Sequence, residues 1–542
     1  MFMKDICKHR KTGRLIVTML LVIAILSSLS GTVFACTAVY VGRNVSEDGT
    51  VIIAKCNDYP EVFANHVVMM DRVENTPGRT MPVDEACTVF FELPATTYKY
   101  ASTPWMAGTQ AFNGPVLDAS VCTNEYGVSM IMSITAFSNK KALSADPLIE
   151  NGITEDNADD LIVCQSATAR EGVDLLAKIL DTYGSSEINI AFISDQQETW
   201  YFEMYTGHQY AAVKLPADKV CVFGNEFNLE YLSDYESSVV SPELESLAVE
   251  NGFAQYGEDG ELNLYRTYSG PEMTINYSHM RTWIGHQILA PSLFGDDYDK
   301  ETFYPLCFNP DRNVSLQDVM NLLRNRYEGT KYSPDETGRT DMRVIGTDTA
   351  LSVHILQTYP DLPPEMSSVL WESVAPVIYG VFVPVSNAVT KISDSYGRNQ
   401  PAEEMGQFNT QQYPWFTFKA LNTLCVEKSA LPIYGIPVRQ YWQEAETGMA
   451  AGMVEVLKRA VAAEDSDAAA AYITDYCCRM QEQAFSDAKA LLNDVLWTMA
   501  KNSNTLKNDR DPETHEVLDT LKEIPPMEVT LDGSAYDVIP DM

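Results

Sequence analysis

Positive charge is scarce in this sequence: 38 Lys and Arg stand against 75 Asp and Glu, and the formal net charge is −37 at pH 7. So acidic a chain is repelled by nucleic-acid phosphates and by anionic membrane surfaces. Histidine is scarce too, with seven in 542 residues. None are paired at metal-ligand spacing and no H-E-x-x-H occurs, which argues against a zinc-peptidase centre. The eleven cysteines include no C-x-x-C, so they resemble neither a zinc site nor a disulfide framework. The G-x-S-x-G turn of a serine hydrolase, the Gly-rich phosphate loop and the local signature of a papain-like cysteine are also missing. There is no internal repeat, heptad run or low-complexity tract. Beyond the N-terminus no apolar stretch approaches the ~20 residues of a membrane-spanning helix.

What is present is 45% apolar and 10% aromatic, ample for a large packed core. Lys4, Lys8, Arg10, Lys11 and Arg14 precede the run "LIVTMLLVIAILSSL" and then "SGTVFA". A basic region, a short apolar core and small residues ahead of a cut have the layout of a secretory signal. The expected product is exported, begins at Cys36, and carries a formal charge of −41 once the net +4 of residues 1–35 is gone. An uncleaved anchor is the alternative. Nine cysteines besides Cys7 and Cys36 cannot all pair within one chain. Most are expected as buried thiols, and a disulfide, for example at Cys477–Cys478, stays open.

From Cys36 to about 230 the sequence is strand-rich, as in "CTAVYVG", "TVIIAKC", "INIAFISD", "TWYFEMYTG" and "YAAVKLP", with Gly, Asp and Asn at the turns. A helical segment is expected over 154–184, and an amphipathic helix over 315–329 with Ser315 as N-cap. Residues 369–386 again look strand-like, and 438–501 helical. The pattern points to an α+β layered fold. Its expected divisions are a signal over 1–35, a main layered domain over 36–435, a helical extension over 436–501, and a charged, partly loose tail over 502–542.

The Asp48–Gly49 pair is a strong turn signal between the first two strands. A hairpin centred near residue 47 sets Cys36 opposite Asp58 or Tyr59, with Lys55 one pleat away. That cluster has a coherent chemistry. A thiol with a pKa of about 8.5 and an α-amine of about 7.7–8.0 are both tunable towards neutrality. The amine of an N-terminal Cys36 can take its own thiol proton, so one residue supplies nucleophile and base. Lys55 would favour the thiolate, and Asp58 could hold the amine. As alternatives, Lys55 faces solvent, Asp58 is a turn residue, or Cys36 carries a lipid anchor on a cell-envelope binding protein. Bulky Phe34 and the lack of a linker after Cys36 weigh against the anchor.

"CTAVYVGRNVSEDGTVIIAKCNDYP" resembles the opening of the bacterial C69-type dipeptidases, N-terminal-nucleophile hydrolases related to bile salt hydrolases and penicillin V acylases. The resemblance continues through "TNEYGVSMIMSIT", "ETWYFEMYTGHQYAAVKLPAD", "VFGNEFNL", "YSHMRTWIG" and "LLRNRYEGTKYS" to about residue 500. It implies a four-layer αββα fold with Cys36 leading a central strand. Cys36 would be the nucleophile, Asp58 its acidic partner, Asn225 an oxyanion donor, and Arg281 an arginine beside the nucleophile. A backbone N–H near Ser133–Thr135 would be the second donor. Lys55 stands where relatives usually carry Arg, and Cys56 in a usual Asn position. Lys keeps the charge but loses the planar fork. Asn124, Glu125, Gly127, Arg324, Arg326 and His208 are expected to be structural. The expected reaction is hydrolysis of dipeptides or short peptides with no metal or cofactor. An acyl-amide hydrolase of bile salt or penicillin type is the runner-up.

Overall fold

The alternating apolar segments pair into two antiparallel sheets in the computed structural model, which describes residues 36–540 apart from 60–61, 85, 105–118, 133, 271–275, 340, 405, 427–430, 509–512 and 515–523. The expected export signal and its cut, on residues 1–35, lie outside the described residues. In chain order the strands of the two sheets begin with β1 (Thr37–Val41), β2 (Val51–Asp58), β3 (Val68–Met70), β4 (Tyr100–Pro104) and β5 (Ala119–Asn124). Next come β6 (Ser129–Ile131), β7 (Asn189–Ser194), β8 (Thr199–Met204), β9 (Tyr210–Lys214) and β10 (Val220–Phe223). The set ends with β11 (Ser238–Val240), β12 (Ala350–Thr358), β13 (Ser368–Ser373) and β14 (Val383–Ser386). One sheet runs β10-β1-β2-β12-β13-β14 and the other β11-β9-β8-β7-β6-β5-β4-β3.

The sheets face each other across an aromatic core. Tyr40 of β1 and Phe223 of β10 meet Phe192 of β7 at ring separations of 6.3 and 5.7 Å, and Tyr201 of β8 lies 5.3 Å from Phe223. Each such buried ring contributes about 1.5–3 kcal/mol by leaving water. Helices α1 (Glu155–Val163) and α2 (Ala169–Tyr183) cover the outer face of the second sheet, against β5, β7 and β8. Helix α3 (Asn276–Leu289) packs on β10, and α4 (Leu316–Leu323) on β2. The result is four layers, αββα. At the β14 side, α5 (Pro414–Cys425), α6 (Ile436–Val461) and α7 (Ser466–Asn508) pack on one another, with α6 and α7 touching β14.

Local chemistry moved several expected boundaries. The helix expected over 154–184 is two, because Ser166 turns its hydroxyl back to the Ile162 carbonyl and Thr168 caps α2 through the Glu171 N–H. The helix expected over 315–329 stops at Leu323. Its start is the foreseen Ser315 cap, completed as a capping box by Asp318. Beyond it, Arg324 reaches Glu446 of α6 and Arg326 reaches Asp335, both buried, and Tyr327 takes a φ of 58°. The tail is fastened rather than loose over 524–540. Met527 N–H donates to the Ile433 carbonyl at 2.7 Å, and Tyr441 and Tyr536 both donate to Asp487. The described residues from Cys36 to Pro540 form one compact unit, α6 and α7 included.

Candidate active site

Cys36 stands directly ahead of β1, an inner strand flanked by β10 and β2, and is 1% exposed. The register differs from the expected one. Thr37 pairs with Cys56 and Ala38 with Lys55, which sets Cys36 beside Asn57, not Asp58 or Tyr59. The Cys36 sulfur lies 4.0 Å from Asn57 Oδ1. The turn explains the shift. Asp48 closes a loop rather than a two-residue hairpin, its Oδ1 accepting from Ser46 Oγ, Thr50 N and Thr50 Oγ1 at 2.8, 3.1 and 2.6 Å.

Pleat alternation puts Ala38, Lys55, His354 and Glu372 in one row across β1, β2, β12 and β13, directly opposed strand to strand. The row points at the second sheet. Lys55 is fully buried and donates from Nζ to the Met132 carbonyl at 2.8 Å. His354 Nδ1 lies 2.6 Å from Glu372 Oε2, and its Nε2 lies 3.0 Å from Ser120 Oγ of β5. Thr103 of β4 donates to Glu372 at 3.2 Å. Lys55 therefore does not face solvent. Its charge also acts on Glu155 and Asp159 of α1. Burial pushes the Cys36 thiol up from its ordinary value, opposed first by the Lys55 charge and then by the Asp58 backbone N–H.

Asp58 closes β2 with its side chain fully buried. Its partners are Arg343, which donates from Nε at 2.7 Å and again from Nη2, and Thr349, whose hydroxyl donates at 2.5 Å. The carboxylate is thus held at the head of β2, beside the strand position of Cys36.

Arg281 and Asn225 come together at the same end. Arg281 is 0% exposed; its Nη1 donates to the Cys36 carbonyl and to Thr37 Oγ1 at 3.0 Å, and its Nη2 donates to Asn225 Oδ1 at 2.8 Å. Asn225 gives one amide hydrogen to the Thr135 carbonyl at 2.7 Å, which fixes the orientation of the group. Two glycines permit this approach. A Cβ on Gly285 of α3 would sit 2.1 Å from Val222 of β10, and one on Gly224 would sit 2.6 Å from the Ser278 carbonyl. The helix can therefore lie close on β10 and reach Cys36 with Arg281. Of the segment expected to give the second oxyanion donor, Ser133 lies outside the described residues.

Five sequence-selected residues, Cys36, Lys55, Asp58, Asn225 and Arg281, thus converge where β1, β2 and β10 meet α3. A family model described as Peptidase family C69 matches residues 35–431. The chain belongs to peptidase family C69. It is accordingly a peptide-bond hydrolase. This C69 peptidase is 29% identical over 415 residues to "Probable dipeptidase B" of Streptococcus pyogenes, covering 73% of this chain and 80% of that protein. It is 30% identical over 361 residues to "Probable dipeptidase" of Salmonella dublin, covering 65% and 81%. A slighter likeness, at 10% identity and a TM-score of 0.30, is to a crystal structure of a mutant conjugated bile acid hydrolase from Clostridium perfringens, over 65% of this chain and 92% of that one.

Sequence reasoning missed Thr37, Arg343, Thr349, His354 and Glu372 of the C69 peptidase. The β1–β2 pairing carries the signal for Thr37, but the others come from residues 343–372, where no short motif marks them. Of the residues expected to be structural, Asn124 accepts from the Tyr126 and Val128 N–H groups in a turn, Gly127 has a φ of +76°, and His208 pairs with Asp146 at 2.9 Å. Among the described residues, no group of three His, Cys, Asp or Glu is placed to hold a metal ion, and no helix is long and apolar enough to cross a membrane.

Proposed function

We propose that this C69 peptidase is an exported cysteine dipeptidase whose nucleophile is the thiol of Cys36, freed together with its α-amine when residues 1–35 are removed. One observation carries the reading: Arg281 grips both the Cys36 carbonyl and the Asn225 side chain, tying the nucleophile and the amide donor to one rigid fork. The printed names of the relatives support a dipeptide substrate.

Burial favours the thiol over the thiolate, so attack needs a base at hand, and the α-amine of the same residue is that base. The Cys36 sulfur adds to the peptide carbonyl carbon, and the thiol proton passes to the α-amine. The second amide hydrogen of Asn225 meets the oxyanion. Collapse breaks the C–N bond, the ammonium returns its proton to the leaving amine, and a thioester remains. Water, deprotonated by the α-amine, adds to the thioester and releases the acid and the thiol. A peptide bond ahead of Cys36 would remove the base, which is why the cut must fall there.

The test starts with the intact mass and N-terminal sequence of the exported protein, which should begin "CTAVYVG" without modification. Cys36→Ala should then abolish dipeptide hydrolysis with the fold intact by circular dichroism. Conjugated bile salts and phenoxyacyl amides serve as comparison substrates. A retained N-terminus, a diacylglyceryl mass on Cys36, or full activity in Cys36→Ala would refute the proposal.

A further inference from the structure

The free edge of the first sheet, at β10, is capped by a passing segment. Val220 and Phe308 form an antiparallel bridge and exchange both backbone hydrogen bonds, each 3.0 Å long. The next positions on the two segments, Cys221 and Cys307, are therefore opposed as a non-hydrogen-bonded pair. Such pairs have Cα atoms about 4.5 Å apart, within the ~4.4–6.8 Å that a disulfide spans. Their side chains share one face of the sheet, and the two sulfurs lie 3.2 Å apart as free thiols. Backbone register and sulfur contact agree on the same pair.

We infer that Cys221 and Cys307 are a cross-strand dithiol that closes to a disulfide on meeting a small external disulfide of the glutathione or cystine class. Their exposures differ in the way that reaction requires. Cys221 is fully buried in β10, whereas Cys307 is half-buried and lines a cleft with Lys219, Tyr235 and Phe303. Cys307 is thus the entry sulfur. The Tyr235 hydroxyl lies 4.0 Å from it, placed to donate to a thiolate. Cys307 loses its proton and attacks one sulfur of the external disulfide, expelling the first small thiolate and leaving a mixed disulfide. Cys221 then loses its proton and attacks the Cys307 sulfur, expelling the second. Two electrons pass to the external disulfide, and two small thiols leave with the two protons.

The bond would staple β10 to a segment already pinned to α3, the helix that carries Arg281. His279 Nε2 contacts the Thr302 carbonyl at 2.8 Å, and His286 Nε2 the Pro305 carbonyl at 3.0 Å. Strand β10 runs directly into Gly224 and Asn225, so the staple fixes one wall of the candidate site from behind.

The experiment needs no activity assay. Folded full-length protein is incubated with oxidised glutathione, alkylated, digested without reductant and mapped by mass spectrometry. A cross-linked peptide joining Cys221 to Cys307, lighter by two hydrogens, is expected, with both residues lost from the alkylated pool. Half-buried Cys478, whose sulfur contacts the Lys391 carbonyl, serves as the reference for a thiol that reacts alone. Cys221→Ser should instead accumulate the glutathione adduct on Cys307. Full alkylation of both cysteines after oxidation, or a stable glutathione adduct on Cys307 in the unaltered protein, would overturn the inference.

Discussion

Arg281→Lys separates what the fork does from what its charge does. The guanidinium serves acceptors on two sides: Cys36 O and Thr37 Oγ1 from Nη1, and Asn225 Oδ1 from Nη2. All of these residues are buried. An ammonium on an unbranched stem presents one centre and reaches one side, not both. The abandoned acceptor is left without a partner in the interior, a loss of about 1–3 kcal/mol in stability. If the abandoned group is Asn225, its amide is free to turn, and the oxyanion donor loses its aim. Removing such a donor outright costs about 2.7–4 kcal/mol, roughly 10²–10³-fold in kcat. Misorientation should fall near the lower bound, about 10²-fold in kcat, with KM little changed because the contact matters most in the transition state. Initial rates on a dipeptide series give the kinetic split, and urea unfolding followed by tryptophan fluorescence gives the stability. A lowered urea midpoint with kcat unchanged would refute the reasoning, since it would show the fork holding the fold and not the reaction.

Two further outcomes follow from the packing and the buried charges. Gly285→Ala should destabilise the protein by ~1–3 kcal/mol through overpacking, although alanine is the better helix former by about 1 kcal/mol, because the new Cβ meets Val222 at 2.1 Å. Val222→Ala in the same chain should recover much of that loss in urea unfolding. Burial raises the Asp159 carboxyl from 3.8 to about 8 and moves Glu155 upward as well. Between those limits the folded chain binds protons that the unfolded chain has released, so stability should fall as pH rises from about 4 to 8 and level off above. Asp159→Asn should flatten that slope; an unchanged slope would show that Asp159 titrates normally.

The first two strands, the Ser315 cap and the grouping of Cys36, Lys55 and Asp58 were legible because each sits in a short local pattern, whereas Asn225 and Arg281 were pointed to only by the resemblance to the C69 dipeptidases. The register was not. Asp48–Gly49 reads as a tight hairpin, and only the side-chain bonds of Asp48 to Ser46 and Thr50 show that it closes a wider loop. The break between α1 and α2 was equally hidden, since "CQSAT" has no Gly or Pro and its turn depends on the Ser166 and Thr168 hydroxyls. Arg343 was beyond reach because its partner Asp58 is 285 residues away.

The missed central strand and the buried lysine have one cause. β12 reads "ALSVHILQT", and Ser352, His354, Gln357 and Thr358 are all buried in it. Leu351, Val353 and Ile355 alternate with Ser352 and His354, the pattern of a strand with one wet face, yet here the polar positions are buried against the second sheet. They can be polar because the facing sheet supplies partners: Ser120 for His354, and Thr103 for Glu372. Lys55 belongs to the same row and directly opposes His354. A buried ammonium costs several kcal/mol unless its surroundings compensate it. Here the Met132 carbonyl accepts from its Nζ at 2.8 Å. Polarity between the sheets at this end is therefore what allows a cation to stand within electrostatic reach of the Cys36 thiol, and it is also what gives the strand beside it polar residues on a buried face.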